Sequence, residues 1–167
     1  VVGALGRLAG RGDLAIHHVF GRRDWALRDQ PRFRPPTLPA DGLSYRAVEY
    51  SDEIGDLLAA ADLGLTRAGG STVAELAIVG LPSILVPPPI ATRDHQRANA
   101  AGLVEAGGAA LVTDSDLSSD RLLAELLPLI DEPERLLPMA AAARSQGHPD
   151  AAARVADLLE AAAKGRT

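Results

Sequence analysis

No cysteine occurs among the 167 residues. That excludes a disulfide framework, thiolate metal sites, a cysteine nucleophile and thiol redox chemistry, and it fits a cytoplasmic setting. Aromatic residues are also scarce, at 3% of the chain, so the core is expected to be small-residue helix packing on Val/Ile/Leu strands. No uninterrupted apolar run approaches the 18 or more residues that read as a transmembrane helix, and there is no signal-peptide pattern. Basic residues are outnumbered 17 to 22 by acidic ones, giving a net charge of −5; a general phosphate-neutralising face for nucleic acid is therefore excluded. Arg22, Arg23, Arg28, Arg32 and Arg34 do cluster, but Asp24 and Asp29 interrupt them, and the stretch reads as a solvated loop.

Several chemical signatures are missing as well. There is no G-x-x-x-x-G-K-[ST] phosphate loop, no complete G-x-G-x-x-G and no G-x-S-x-G elbow. The four histidines (His17, His18, His95, His148) show no metal-ligand spacing. His17 and His18 are adjacent in a strand and face opposite sides of it, which points to structural roles.

What is present is one domain's length, roughly 150 residues being typical, with 47% apolar residues. Val1 to Leu8 reads as the tail of a helix that opens without Met and without a cap before it, so a preceding segment is expected. Strands are expected at Leu14 to Phe20, Leu43 to Val48, Leu63 to Thr66, Ser83 to Val86 and Ala109 to Val112. A proline-rich surface connection, with a short helix near Trp25 to Leu27, separates the first two. Helices are expected after Ser51 or Asp52, over Ser71 to Val79 with Gly80 as a left-handed stop, and from a Thr92 cap over Arg93 to Ala106. Three more follow: one capped by Ser118, one over Pro133 to Ala143, and one over Asp150 to Lys164. Strands alternating with helices predict an α/β, doubly wound, Rossmann-like parallel sheet with helices on both faces. Ligands of such sheets sit beyond the strands' carboxyl ends, which directs attention to the loops after Thr66 and Val86.

The first of these loops is Arg67-Ala-Gly-Gly-Ser-Thr72. Gly69 and Gly70 let a ligand approach the backbone, and the helix that follows offers free amides and a dipole suited to phosphate. Thr72 and Glu75 also have the spacing of a capping box, so the same residues fit plain helix capping. In the second loop, Gln96 and Asn99 lie three apart on one helical face, where two neutral amides suit a polyhydroxylated ligand; simple solvation is the alternative. His95 either touches ligand or covers the helix end.

Arg67 to Ala100, RAGGSTVAELAIVGLPSILVPPPIATRDHQRANA, resembles the C-terminal domain of the MurG family of peptidoglycan N-acetylglucosaminyltransferases. His18-Val-Phe-Gly21 and Tyr50-Ser-Asp-Glu-Ile54 extend the likeness. The resemblance implies the C-terminal half of a GT-B fold lacking its first strand, a single UDP-sugar-binding domain over residues 1–167. It implies that Gly69, Gly70, Ser71 and Thr72 hold the diphosphate of UDP-N-acetylglucosamine and that Glu75 accepts from the ribose hydroxyls. His95, Gln96 and Asn99 would line the sugar side, and backbone near Tyr50 and Ser51 would meet the uracil. The implied reaction is inverting GlcNAc transfer to lipid I, giving lipid II. Neither a cofactor nor a protein-bound metal is expected. Lipid I, the catalytic base and contact with the cytoplasmic membrane face would all belong to an N-terminal domain outside this sequence. Two rival readings are another GT-B transferase with a different nucleotide sugar and a non-catalytic donor-binding subunit.

Overall fold

Among the described residues all strand pairings are parallel, because each connection between neighbouring strands carries the chain back across a face of the sheet before the next strand begins. The computed structural model describes residues 1–89 and 95–165. The elements are α1 (Val2–Leu8), β1 (Ala15–Val19), α2 (Arg22–Trp25), β2 (Ser44–Val48), α3 (Ile54–Ala60), β3 (Gly64–Thr66) and α4 (Gly70–Val79). They continue with β4 (Ser83–Leu85), α5 (His95–Glu105), β5 (Ala109–Leu111), α6 (Ser119–Asp131), a 3-10 turn at Pro133–Arg135, α7 (Leu136–Ser145) and α8 (Ala151–Lys164).

The expected α/β class, the parallel strands and the helices on both faces hold. Among the described residues the strands form two ladders, β1-β2 and β3-β4-β5, and α3 carries the chain from one to the other. Strand alternation divides the core between the two faces. Ile84 packs into a cluster with Leu5 and Leu8 of α1 and Leu122 and Leu123 of α6. Its neighbour Leu85 packs oppositely, with Leu76 and Ala77 of α4, Ala100 and Leu103 of α5 and Ala143 of α7. Among the described residues no helix is long and apolar enough to cross a membrane.

Local signals acted mostly as expected. Gly80 takes φ 74 and closes α4 through its N–H to the Leu76 carbonyl, 2.8 Å, the left-handed stop only glycine adopts cheaply. Ser118 Oγ accepts from the Arg121 N–H and caps α6. The start of α3 differs: Glu53 occupies the cap position without a side-chain bond, and Ser51 Oγ instead accepts from the Glu53 N–H at 3.3 Å. The short helix α2 begins three residues before the expected Trp25, directly after Gly21 at φ 83. Thr92 and Arg93, expected at the start of α5, lie outside the described residues.

His17 and His18 face opposite sides of β1, and only His18 is enclosed. Its Nδ1 is hydrogen-bonded to the Tyr45 hydroxyl at 2.8 Å, and its ring stacks on Phe20 with centroids 4.0 Å apart. Burial lowers its pKa to about 4. The unfolded chain therefore binds this proton at a higher pH than the folded one. Stability is fully present above pH 6.5 and is expected to fall by roughly 1–3 kcal/mol as pH drops from 6.5 toward 4. Urea midpoints measured across that range check this, and His18→Phe flattens the profile.

Candidate functional site

The turn between β3 and α4 is where elements distant in sequence meet. Ala68, fully buried, is held at both ends of its backbone by α5. Its N–H donates to Gln96 Oε1 at 3.1 Å, and its carbonyl accepts from Asn99 Nδ2 at 3.2 Å. The helical spacing that places both amides on one face thus turns that face onto the loop. A buried backbone has no water to bond, so these two side chains supply what secondary structure does not. Asn99→Ala is expected to cost about 1–2 kcal/mol by orphaning the Ala68 carbonyl, read as a lower thermal midpoint with Gln96→Ala as its counterpart.

Arg67 braces the turn from the other side. One guanidinium nitrogen donates to the Val86 carbonyl at 3.0 Å and is paired with the Asp114 carboxylate. The ends of β3 and β4 and the loop after β5 are thereby tied together. This brace was not singled out from the sequence; its only local signal is an arginine placed directly after a strand. Just before it, Thr66 Oγ1 is the buried side-chain polar atom without a partner among the described residues.

The start of α4 is open. Gly69 is the cap residue, at φ −62 and ψ 146, and no side chain caps the helix. The Val73 N–H makes the first helical bond, to the Gly69 carbonyl. The amides of Gly70, Ser71 and Thr72 therefore precede the helical ladder, at the positive end of the dipole. The capping box does not form, because Thr72 is the third residue of the helix rather than its cap. Neither glycine needs a positive φ. A β-carbon on Gly69 or Gly70 would meet nothing closer than 3.6 Å, so what the missing side chains leave is free access to backbone. Glu75, one turn on, is exposed, and among the described residues no protein group bonds its carboxylate.

Four of the site residues singled out from the sequence line grooves, two in each of two, and Gly69, Ser71, Thr72 and Gln96 line neither. Gly70 and Asn99 line one of about 250 Å³ between α4 and α5, floored by Val73, Ala77 and Leu103. Tyr50 and Ser51 line another of about 390 Å³, with His17, Arg46, Glu53 and Asp56. Glu75 lines neither, and His95 is exposed at the first position of α5. Among the described residues no group of three or more His, Asp or Glu side chains could hold a metal ion.

Comparison with known proteins identifies the family and the fold. The family model for the glycosyltransferase family 28 C-terminal domain matches residues 1–155. A UDP-N-acetylglucosamine–N-acetylmuramyl-(pentapeptide) pyrophosphoryl-undecaprenol N-acetylglucosamine transferase of Mycolicibacterium smegmatis is 43% identical over 92% of this chain and 38% of its own length. The enzyme of the same name from Acidothermus cellulolyticus is 43% identical over 99% of this chain and 44% of its own length. The chain thus spans less than half the length of these relatives. Acinetobacter baumannii MurG superposes with a TM-score of 0.80 at 31% identity, covering 95% of this chain and 44% of that one. The glycosyltransferase VinC shares the fold, with a TM-score of 0.60 at 24% identity over 86% of this chain and 31% of its own. On the extent of the family match and the fold it shares with MurG, this chain belongs to glycosyltransferase family 28, as a C-terminal domain of that family.

Proposed function

We propose that the chain is the donor-binding part of an inverting transferase that moves N-acetylglucosamine from UDP to lipid I, the undecaprenyl-pyrophosphoryl acceptor, and so forms lipid II for peptidoglycan. The observation that carries this reading is the convergence of the open start of α4 and the start of α5 on one turn, through the paired bonds to Ala68. A diphosphate suits the amides of Gly70, Ser71 and Thr72 and the helix dipole, with Gly69 leaving room for its approach. The Glu75 carboxylate suits the two hydroxyls of a ribose. Gln96 and Asn99 each spend one end of the amide on Ala68, and keep Nε2 and Oδ1 respectively for a hexose. His95 stands at the same helix end. Backbone near Tyr50 and Ser51 meets the uracil.

Within that reading the chain's chemical contribution is electrostatic. Negative charge grows on the UDP as the glycosidic bond breaks, and fixed amides at a helix start stabilise it without having to reorganise. The group that deprotonates the acceptor hydroxyl, the lipid I site and anchoring at the inner face of the bacterial membrane are assigned to the remainder of the longer relatives. The test is calorimetric titration of the chain with UDP-GlcNAc, UDP-GalNAc and TDP-sugars. Heat confined to UDP-GlcNAc supports the assignment; equal heats for all donors remove it, and a preference for a TDP-sugar moves the chain to a different donor class.

A further inference from the structure

Residues 67 and 68 carry contacts in opposite directions between the same two segments. Arg67, at the start of the β3–α4 turn, reaches the end of β4, where one guanidinium nitrogen donates to the Val86 carbonyl at 3.0 Å. From α5, which follows β4, Gln96 and Asn99 reach back to the N–H and carbonyl of Ala68 at 3.1 and 3.2 Å. Val86 and Ala68 are both buried, so in each case a side chain supplies a partner to backbone that water does not reach. The turn and the β4–α5 connection thus close a circuit. Pro87, Pro88 and Pro89, directly after Val86, stiffen its link toward α5.

One group outside the circuit holds it. The same Arg67 nitrogen is paired with the Asp114 carboxylate. An arginine side chain that is 54% exposed has many rotamers open to it, and this pairing selects the one that meets Val86. Asp114 is itself fixed. Its segment continues the ladder through the Val112 N–H to the Leu85 carbonyl at 3.0 Å and then folds on itself. Thr113 Oγ1 donates to Asp116 Oδ2 at 2.5 Å, the Asp116 N–H to the Thr113 carbonyl at 3.1 Å, and the Leu117 N–H to the Asp114 carbonyl at 3.3 Å. The Asp114 side chain is 28% exposed, so the carboxylate is presented by a built turn. A partly exposed ion pair adds little to stability; what this one supplies is direction.

We infer that Asp114 is a positioning residue. Acting through Arg67, it sets the exit of β4 so that α5 clamps Ala68, and it thereby orients the two amides assigned to the hexose. The consequence for the turn stands on the contacts alone, whereas the consequence for donor binding rests on the proposed function. Asp114 itself touches no part of the donor in that reading.

Amide hydrogen exchange of the full chain, followed by NMR, reads the clamp directly, because the Ala68 N–H is donated to Gln96 Oε1. Asp114→Ala is expected to speed exchange at Ala68 about tenfold by local opening, while the Leu76 and Leu103 amides keep their protection. Asp114→Glu retains the carboxylate and restores most of the protection at Ala68. By calorimetry, Asp114→Ala is expected to weaken UDP-GlcNAc binding about fivefold, the worth of one net hydrogen bond. Added to Gln96→Ala it weakens binding by less than about twofold further, because effects that share one route do not add. Circular dichroism confirms that each variant stays folded. Unchanged exchange at Ala68, exchange that speeds equally along the chain, or fully additive losses of affinity overturns the inference. Faster exchange confined to the turn, in a chain whose unaltered form binds no UDP-GlcNAc, upholds the positioning of the turn and counts against the donor assignment alone.

Discussion

Gly108→Ala is expected to lower the free energy of unfolding by about 3 kcal/mol, at the upper end for overpacking one carbon. For a chain of this size that is a fall in thermal midpoint of roughly 6–12 °C. The added β-carbon would lie 2.7 Å from the Ala143 nitrogen and 2.8 Å from its α-carbon. Those atoms are backbone of α7 at a fully buried residue, so no flexible side chain can swing aside. Position 108 cannot retreat either: its N–H donates to the Leu103 carbonyl at 2.8 Å and its carbonyl accepts from the Ser83 N–H at 3.3 Å. Gly107→Ala is the control. That residue has φ 84 with nothing within 4 Å of its β-carbon position, so only the left-handed backbone is penalised, by about 1 kcal/mol. Scanning calorimetry of both variants separates the two causes; equal losses would show that α7 yields to the clash.

Glu75→Ala is expected to weaken UDP-GlcNAc binding about 10- to 100-fold, the worth of hydrogen bonds to a charged group, while leaving the thermal midpoint within error. The contrast follows from the geometry. Glu75 is exposed and, among the described residues, bonds no protein group, so the fold loses nothing with it. Glu75→Gln keeps an acceptor without the charge and falls between. Unchanged calorimetric affinity in the alanine variant would remove the ribose role, and a large stability loss would show that the carboxylate serves the fold.

The gross plan was readable because its signals are local. Alternating strands and helices, Gly80 as a stop and Ser118 as a cap each depend on a few neighbouring residues, and all appear in place. The site was less readable. The spacing of Gln96 and Asn99 identified a shared face but not the object it meets, because Ala68 lies 28 and 31 residues away. The capping-box spacing of Thr72 and Glu75 misled because helix α4 starts at Gly70, which shifts the frame and leaves the cap to a residue with no side chain. Gly107 and Gly108 look like one stop signal in the sequence, yet one serves a backbone angle and the other a close approach.

Ala68 is gripped at both its amide and its carbonyl by a single helix, and that grip has a thermodynamic side. Under the proposed function, whatever free energy the hexose contributes by steadying α5 is returned as a firmer hold on the diphosphate, and linkage makes the exchange equal in both directions. Product release benefits. Once the sugar has been passed on, the spent nucleotide loses that reinforcement and leaves more readily than the intact donor, so turnover is favoured by the same two amides that order the turn.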